Sequence, residues 1–371
     1  KVYLNDLKNR LFLLCVIVAI TLLLAPAGRP AFASSERSGG RDSGAIQSIP
    51  AISANASAGS SSLASTPLPL GAVRIVSGPS VLNGETYYDV NITCPNLVKA
   101  IRATVRIGEP TGGAALKGTI LIETGANGKS YWQDWSPEAL RVVNELRASG
   151  YRIVQFKWNF AWYTGETGAN EGILALNCRA ATLTQWVYTQ GHHQNASQPF
   201  CGYGHSNGAG ELAYSITQYG LSNLFSHALL NSGPNWSRVD KACLRNDPTY
   251  STLWYTYSDL QTVDASFGQP SNGTGLCSQA DPTWENTFYQ TSLASNNWSL
   301  VYPNTKVTVM LGGQDTTPLV GHAQYFYNKM VADGSPLTEL VVLPGESHNT
   351  FSTVSGANAI RDSLLAGCVL R

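Results

Sequence analysis

Short apolar runs alternate with longer, helically patterned segments between residues 118 and 365. A short run with little polar interruption is typical of a strand buried on both faces, and a helix between consecutive strands lets them run parallel. The alternation therefore predicts an α/β fold: a mostly parallel central sheet with helices on both faces. The predicted strands are 118–123, 151–158, 200–203, 227–231, 306–311 and 338–343, and the predicted helices are 137–148, 172–189, 209–219, 318–333 and 357–365.

Two regions depart from this alternation. Strand-like patterns at Val73–Val76, Tyr87–Thr93 and Ala100–Ile107 precede it and predict an antiparallel edge. Residues 235–305 are rich in Trp, Tyr, Asn, Ser and Pro and show little periodicity. We predict that this segment is an insertion that folds over the carboxyl edge of the sheet.

The first 70 residues are predicted to lie outside the folded domain. A basic, polar stretch and an apolar run of 15 residues lead to the small-residue pattern Ala31-Phe32-Ala33, which predicts a signal peptide over 1–33. As a helix the apolar run spans about 22 Å, less than the roughly 30 Å of a bilayer core, although an uncleaved signal anchor is the alternative. Residues 34–70 are poor in large apolar side chains and predict a disordered linker before the domain at 71–371. We expect a secreted protein, extracellular or periplasmic, with no stable membrane anchor after cleavage.

Charge and cysteine content limit the partners, cofactors and disulfides that we expect. The formal net charge is zero and only 13% of residues are charged, so no basic surface for nucleic acid is expected. No cysteine or histidine spacing fits a zinc site, and neither a metal nor a cofactor is predicted. An even number of cysteines after export suggests up to three disulfides, of which we propose one within the insertion, Cys243–Cys277. The six are Cys94, Cys178, Cys201, Cys243, Cys277 and Cys368.

A serine pentapeptide stands where a predicted strand meets a predicted helix. It reads Gly-His-Ser-Asn-Gly over positions 204–208. A strand that turns abruptly into a helix with Ser206 at the apex is the nucleophile elbow of serine hydrolases, and the glycines avoid collisions with the neighbouring strand and helix. With 35 glycines in the chain such a pattern also arises by chance. Whether Ser206 is a nucleophile therefore depends on the strand and helix around it and on the presence of a base and an acid elsewhere in the sequence.

A serine nucleophile needs a base and an acid that orients the base. His348 follows strand 338–343, at the sheet edge expected for the elbow, and is the candidate base; a surface histidine is the alternative. Asp315 follows strand 306–311 and is the candidate acid; a helix cap before Pro318 is the alternative. His205 adjoins the nucleophile, but the turn is expected to point it away.

The reaction also needs two backbone donors for an oxyanion. One is the N–H of Asn207, directly after the nucleophile. The other is expected in the glycine-containing loop 124–128, with Ala126 as the first choice and Gly125 or Asn127 as alternatives.

Aromatic side chains follow two strands at the same predicted edge. Because loops at the carboxyl edge open beside the site, we predict substrate contacts for Tyr131, Trp132 and Trp158, while others of the group only pack against the insertion.

These motifs resemble secreted α/β-hydrolase esterases and lipases. The order Ser206, Asp315, His348 matches the order of that family's triad, and the elbow, the segment 311–318 and the Gly-x-x-His loop fall where the family places them. The resemblance covers about 115–371 and implies an α/β-hydrolase fold, with the insertion as a cap or lid. Many lipases carry His where this chain has Thr124, which puts the subfamily in doubt but not the backbone donor.

Three functions are consistent with the sequence. The first is a secreted serine hydrolase that cleaves small-molecule or polymeric carboxylic esters through an acyl-enzyme on Ser206; a lipase or polyester depolymerase falls within this class. The second is a peptidase or amidase on the same scaffold. The third, a non-catalytic recognition module, is disfavoured because no triad member is missing.

Overall fold

The computed structural model describes residues 66–371. The predicted signal peptide at 1–33 and nearly all of the predicted linker lie outside these residues. The last part of that linker segment lies along the domain: the Leu68 N–H donates to the Gln218 carbonyl at 2.8 Å, and Leu68 and Leu70 pack against the core. Within the described part, no helix has the length and apolar character needed to cross a membrane.

Nine strands of the described chain form one sheet, in the order β1-β2-β3-β5-β4-β6-β7-β8-β9. The first three pair antiparallel, β3 also pairs antiparallel with β5, and the remaining neighbours are parallel. The predicted parallel sheet with an antiparallel edge is therefore confirmed. The strands are β1 Ala72–Leu82, β2 Glu85–Thr93, β3 Ile101–Gly108, β4 Gly118–Glu123, β5 Tyr151–Trp158, β6 Phe200–His205, β7 His227–Asn231, β8 Lys306–Gly312 and β9 Thr338–Leu343.

Helices connect the parallel strands, as the alternation predicts. One helix prediction was wrong in detail: the segment 172–189 is interrupted at Asn177, whose side-chain amide donates to the Ile173 carbonyl at 2.8 Å beside the backbone N–H of the same residue. The α-helices are α1 Pro137–Ala148, α2 Gly172–Leu176, α3 Cys178–Trp186, α4 Asn207–Thr217, α5 Val239–Leu244, α6 Tyr257–Ser266, α7 Glu285–Thr291, α8 Leu319–Asp333 and α9 Val354–Gly367.

The sheet divides the core into two layers. Every residue of β4 is buried, and because successive side chains point to opposite faces, Leu121 packs in one layer while Ile120 and Ile122 pack in the other. The larger layer contains α2–α4 and much of the insertion; the smaller contains α1 and α9. Burial on both faces is why the central strands read as continuous apolar runs.

The segment 235–305 lies between β7 and β8 and is less irregular than its sequence suggests. It forms α5, α6 and α7 with short 3-10 turns, and its residues Val263 and Phe288 pack in the larger core layer. The proposed disulfide within it is confirmed. The three disulfides are Cys94–Cys178, Cys201–Cys368 and Cys243–Cys277.

Candidate active site

Ser206 occupies a tight turn between β6 and α4. Its φ of 54° and ψ of −119° lie outside the regions that L-residues prefer, which is strain of the kind found at functional turns. The flanking glycines are required by close approach. A Cβ on Gly204 would lie 2.4 Å from the Gly208 carbonyl oxygen, and one on Gly208 would lie 2.3 Å from that of Glu123.

The structure brings Ser206, His348 and Asp315 together. The Nε2 of His348 lies 3.1 Å from Ser206 Oγ, and its Nδ1 lies 2.8 Å from Asp315 Oδ2. Because the carboxylate accepts, Nδ1 carries the proton, and Nε2 presents its lone pair to the serine hydroxyl. The His348 side chain is 25% exposed and that of Asp315 is fully buried, so the imidazole is accessible from solvent while the carboxylate is enclosed.

Hydrogen bonds keep the Asp315 carboxylate ionised. Burial by itself raises its pKa, but the hydrogen bonds from His348 and from the Thr317 backbone N–H outweigh burial and lower the pKa below its usual value. The Thr317 N–H donates to Oδ1 at 2.9 Å while His348 occupies Oδ2. The residue also begins a turn before Pro318, so the capping alternative describes only one of its two contacts.

The loop that carries His348 is fastened to the end of β7. The hydroxyl of Ser232 donates to the His348 carbonyl at 2.6 Å, and the hydroxyl of Thr350 donates to Asn231 Oδ1 at 2.8 Å. Strand β7 thereby positions a base that lies more than a hundred residues further along the chain.

His205 is fully buried below the elbow. Its Nδ1 lies 3.2 Å from Asn231 Oδ1, an acceptor, so Nδ1 is the protonated nitrogen. Burial lowers the pKa of His205 to about 3, and repulsion from His348 adds to the shift when that imidazole is protonated. The side chain is therefore neutral at ordinary pH and is not the imidazole that contacts the nucleophile.

The loop 124–128 lies against the nucleophile. A Cβ on Gly125 would be 3.0 Å from Ser206 Cβ, so only glycine lets the loop pass this close. Ala126 follows with a left-handed φ of 51°. Within residues 66–371, neither the Ala126 N–H nor the Asn207 N–H donates to a protein acceptor. Neither N–H is committed to the described part of the protein, which an oxyanion donor requires.

Sequence reasoning missed two asparagine side-chain contacts at this loop. The Asn207 amide donates from Nδ2 to the Ala126 carbonyl at 2.8 Å, and Asn207 Oδ1 accepts a hydrogen bond from Nδ2 of Asn235. Asn235 belongs to the insertion and is buried. The only signal for it in the sequence is its position shortly after a strand that ends at the catalytic edge.

Two buried glutamates below the site were also missed. Glu123 accepts from the Thr184 hydroxyl at 3.0 Å, and Glu211 accepts from the Trp158 indole N–H at 3.0 Å. In each carboxyl group the second oxygen has no protein partner among the described residues. Burial raises the pKa of Glu123 to about 8, and burial together with the charge of Glu123 raises the pKa of Glu211. Both carboxyls therefore favour the protonated form.

The three predicted substrate-contacting aromatics are buried. Trp132 packs edge-on against Tyr203 at a ring distance of 4.9 Å, and Tyr131 lies under the ammonium of Lys157 at 5.0 Å. Trp158 lies beneath the loop 124–128, where its backbone N–H donates to the Gly128 carbonyl at 2.8 Å. The structure uses all three in packing, and their contact with substrate stays a prediction.

Comparison with solved structures identifies the fold. Brefeldin A esterase, a bacterial homologue of human hormone-sensitive lipase, aligns with a TM-score of 0.51 and 14% identity over 79% of each chain. A thermostable carboxyl esterase from Bacillus coagulans aligns with a TM-score of 0.49 and 14% identity over 76% of this chain and 97% of its own. A puromycin-hydrolysing peptidase from Mycobacterium tuberculosis aligns with a TM-score of 0.49 and 12% identity over 76% of this chain and 45% of its own.

No model of a protein family and no curated protein matches the sequence. At these identities the structural likeness establishes the fold alone. The described chain has the α/β-hydrolase fold, with Ser206, Asp315 and His348 at the carboxyl edge of its sheet.

Proposed function

We propose that this protein is a serine hydrolase that cleaves carboxylic esters through an acyl-enzyme on Ser206. The observation that supports it most strongly is the pair of contacts made by one imidazole, 3.1 Å to Ser206 Oγ and 2.8 Å to Asp315 Oδ2. Residues from three separate loops converge there, on a strained turn that a merely structural serine does not need.

The chemistry follows from the protonation states. Neutral His348 accepts the Ser206 hydroxyl proton at Nε2 as the oxygen attacks the ester carbonyl, and Asp315 stabilises the imidazolium that forms. The carbonyl oxygen becomes an anion facing the N–H groups of Asn207 and Ala126. The imidazolium then gives its proton to the departing alkoxide, which leaves as an alcohol. A water molecule then attacks the acyl-enzyme in the same way, with His348 as the base, and releases the carboxylic acid and the free serine.

The direct test compares the wild type with Ser206→Ala on p-nitrophenyl esters. We expect the variant to lose turnover and covalent labelling by a fluorophosphonate probe, since the reacting oxygen is gone. Ser197→Ala is the matched control, because Ser197 is exposed in a surface loop; it should retain both properties. Retained turnover in Ser206→Ala would refute the proposal.

Amide cleavage and ligand recognition are outcomes of the same experiment. A peptidase on this site would label with the probe and cleave a peptide library while leaving esters intact. A recognition module would fail to label although the protein is folded. The first result would make amides the substrate class, and the second would mean that the protein binds a ligand without catalysis.

We also propose that the enzyme is exported and acts on small or polymeric esters. Three disulfides support export, because such bonds persist in oxidising compartments and are rare in the cytosol. An acyl-chain panel from acetate to palmitate, with a polyester film alongside, separates a short-chain esterase from a lipase or a depolymerase. Localisation by fractionation of the native host tests export; protein confined to the cytosol would contradict it.

A further inference from the structure

The loop that faces the nucleophile holds Ala126 in a conformation that is unfavourable for a residue with a side chain. Its φ of 51° lies in the left-handed region, where a Cβ is strained against the backbone. Ala126 is also exposed, so packing contributes little to fixing it. An interaction from outside the loop must hold Ala126 in place if the N–H of this residue is to point reliably at an oxyanion.

The Asn207 side chain supplies that interaction. Its Nδ2 donates to the Ala126 carbonyl at 2.8 Å. The contact joins the first residue of α4 to the loop after β4, so it ties together the two segments that bear the two candidate donors. An amide suits this position because it donates to a carbonyl through its nitrogen and accepts through its oxygen at the same time.

The accepting side is occupied by Asn235. Its Nδ2 donates to Asn207 Oδ1, which determines which way round the Asn207 amide lies. Asn235 is buried, and the next residue is anchored as well: Trp236 packs in the larger core layer, and its carbonyl accepts from the Leu293 N–H at 2.9 Å. The insertion thus orients an amide in the helix, and the helix amide holds the loop.

We infer that Asn207 and Asn235 are positioning residues for the oxyanion site, and that the insertion sets the geometry of that site through this relay. Asn207 then has two roles, since its backbone N–H is one donor and its side chain places the other. This inference rests on the proposed serine hydrolase function. It adds that the insertion helps to position the oxyanion donors.

The test measures turnover and transition-state affinity in Asn207→Ala and Asn235→Ala. Displacing a catalytic group by about 1 Å costs on the order of 10²-fold, so we expect Asn207→Ala to lose about that much kcat with KM changed less than about threefold. Affinity for a trifluoromethyl ketone, which forms a tetrahedral anion on the serine, should fall in parallel. Asn235→Ala should lose about tenfold, because the amide of Asn207 can still reach Ala126 but is no longer oriented.

Two further variants separate positioning from a general structural role. In Asn207→Asp the carboxylate cannot donate to the Ala126 carbonyl although its shape is kept, so kcat and ketone affinity should fall at least as far as in Asn207→Ala. The double variant Asn207→Ala/Asn235→Ala should resemble Asn207→Ala alone, since the relay is already broken. Asn144→Ala, at an exposed position of α1, should match the wild type.

The outcomes are distinct from those of the parent proposal. A wild-type protein that neither hydrolyses esters nor reacts with a fluorophosphonate defeats the function itself. A wild-type esterase whose Asn207→Ala and Asn207→Asp variants keep kcat and ketone affinity defeats only the inference. Loss of kcat together with a large drop in melting temperature, absent in Asn144→Ala, also counts against it, because that result describes damage to the fold.

Discussion

Asp315 contacts His348 through only one carboxylate oxygen, Oδ2 at 2.8 Å, while Oδ1 accepts the Thr317 N–H at 2.9 Å. The carboxylate is therefore fixed from two directions, and its lowered pKa keeps it ionised. Fixed in this way, it specifies the imidazole tautomer whose Nε2 can accept the serine proton.

The Asp315→Asn variant tests this relationship without changing the shape of the side chain. An amide that donates from its nitrogen selects the wrong tautomer, so we expect kcat on p-nitrophenyl esters to fall by about 10³- to 10⁴-fold. Because a buried charge is removed along with one charged hydrogen bond, the melting temperature should change little by comparison. A variant with more than a tenth of wild-type kcat would mean that another group orients the base.

The two imidazoles at the site have different expected roles, and matched substitutions compare them. His348→Asn removes the base and should lower kcat by about 10⁴-fold or more. His205→Asn can keep the hydrogen bond to Asn231 through its amide, so kcat should stay within about tenfold of wild type. The lost ring volume should lower the free energy of unfolding by about 1–3 kcal/mol. Steady-state kinetics and urea unfolding measure both effects, and equal losses of kcat would contradict the assignment of the base.

The sequence predicted best where burial leaves a simple signal. Strands β4, β5, β7 and β9 begin and end where they were predicted. The residues of β4 and β7 are buried throughout, which is why their apolar runs are clear in the sequence, whereas the edge strand β9 is only partly buried. Strand β1 was predicted only over Val73–Val76 but continues to Leu82. Nearly all of β1 is exposed, so its hydrogen bonds to β2 hold it in the sheet without any apolar pattern to reveal it.

The candidate site shows the same division. The elbow, the acid and the base each carry a local motif at a strand end, and the structure brings them into contact. Asn235 and Glu211 carry no such motif, because their meaning depends on which distant backbone or carboxyl group they meet after folding. The disulfides show the same limit. Cys243–Cys277 could be proposed because both cysteines lie in one segment, whereas the other two disulfides join distant parts of the chain.

The Cys243–Cys277 bond should stabilise the insertion without contributing to the chemistry. It closes a loop with a sequence separation of 34, for which chain entropy gives about 4 kcal/mol. The double variant Cys243→Ala/Cys277→Ala should lose about that much free energy of unfolding in urea while keeping kcat within a few fold below its transition. A large loss of kcat in fully folded protein would instead show that the disulfide holds the catalytic edge itself.

The buried Glu123 should make the protein less stable as the pH rises towards 8. In the folded state burial raises its pKa to about 8, whereas the ordinary value is 4.5, so between these two values the folded chain holds a proton that the unfolded chain has released. With fewer protons bound in the unfolded state, the free energy of unfolding falls with rising pH, by up to about 1.4 kcal/mol per unit for one such group. The stabilisation is fully present below 4.5 and is lost by about pH 8.

Urea unfolding of Glu123→Gln at pH 5, 6, 7 and 8 measures this contribution, because glutamine keeps the bond from Thr184 and cannot ionise. We expect its stability to fall less steeply with pH than that of the wild type. Part of the remaining fall comes from Glu211, whose pKa is also raised, so Glu123→Gln/Glu211→Gln should lose less stability with rising pH than Glu123→Gln alone. Glu285→Gln, at an exposed position of α7, should run parallel to the wild type. If Glu123→Gln also runs parallel to the wild type, the Glu123 carboxyl does not hold its proton in the folded state, and a buried cation or water must stabilise the ionised form.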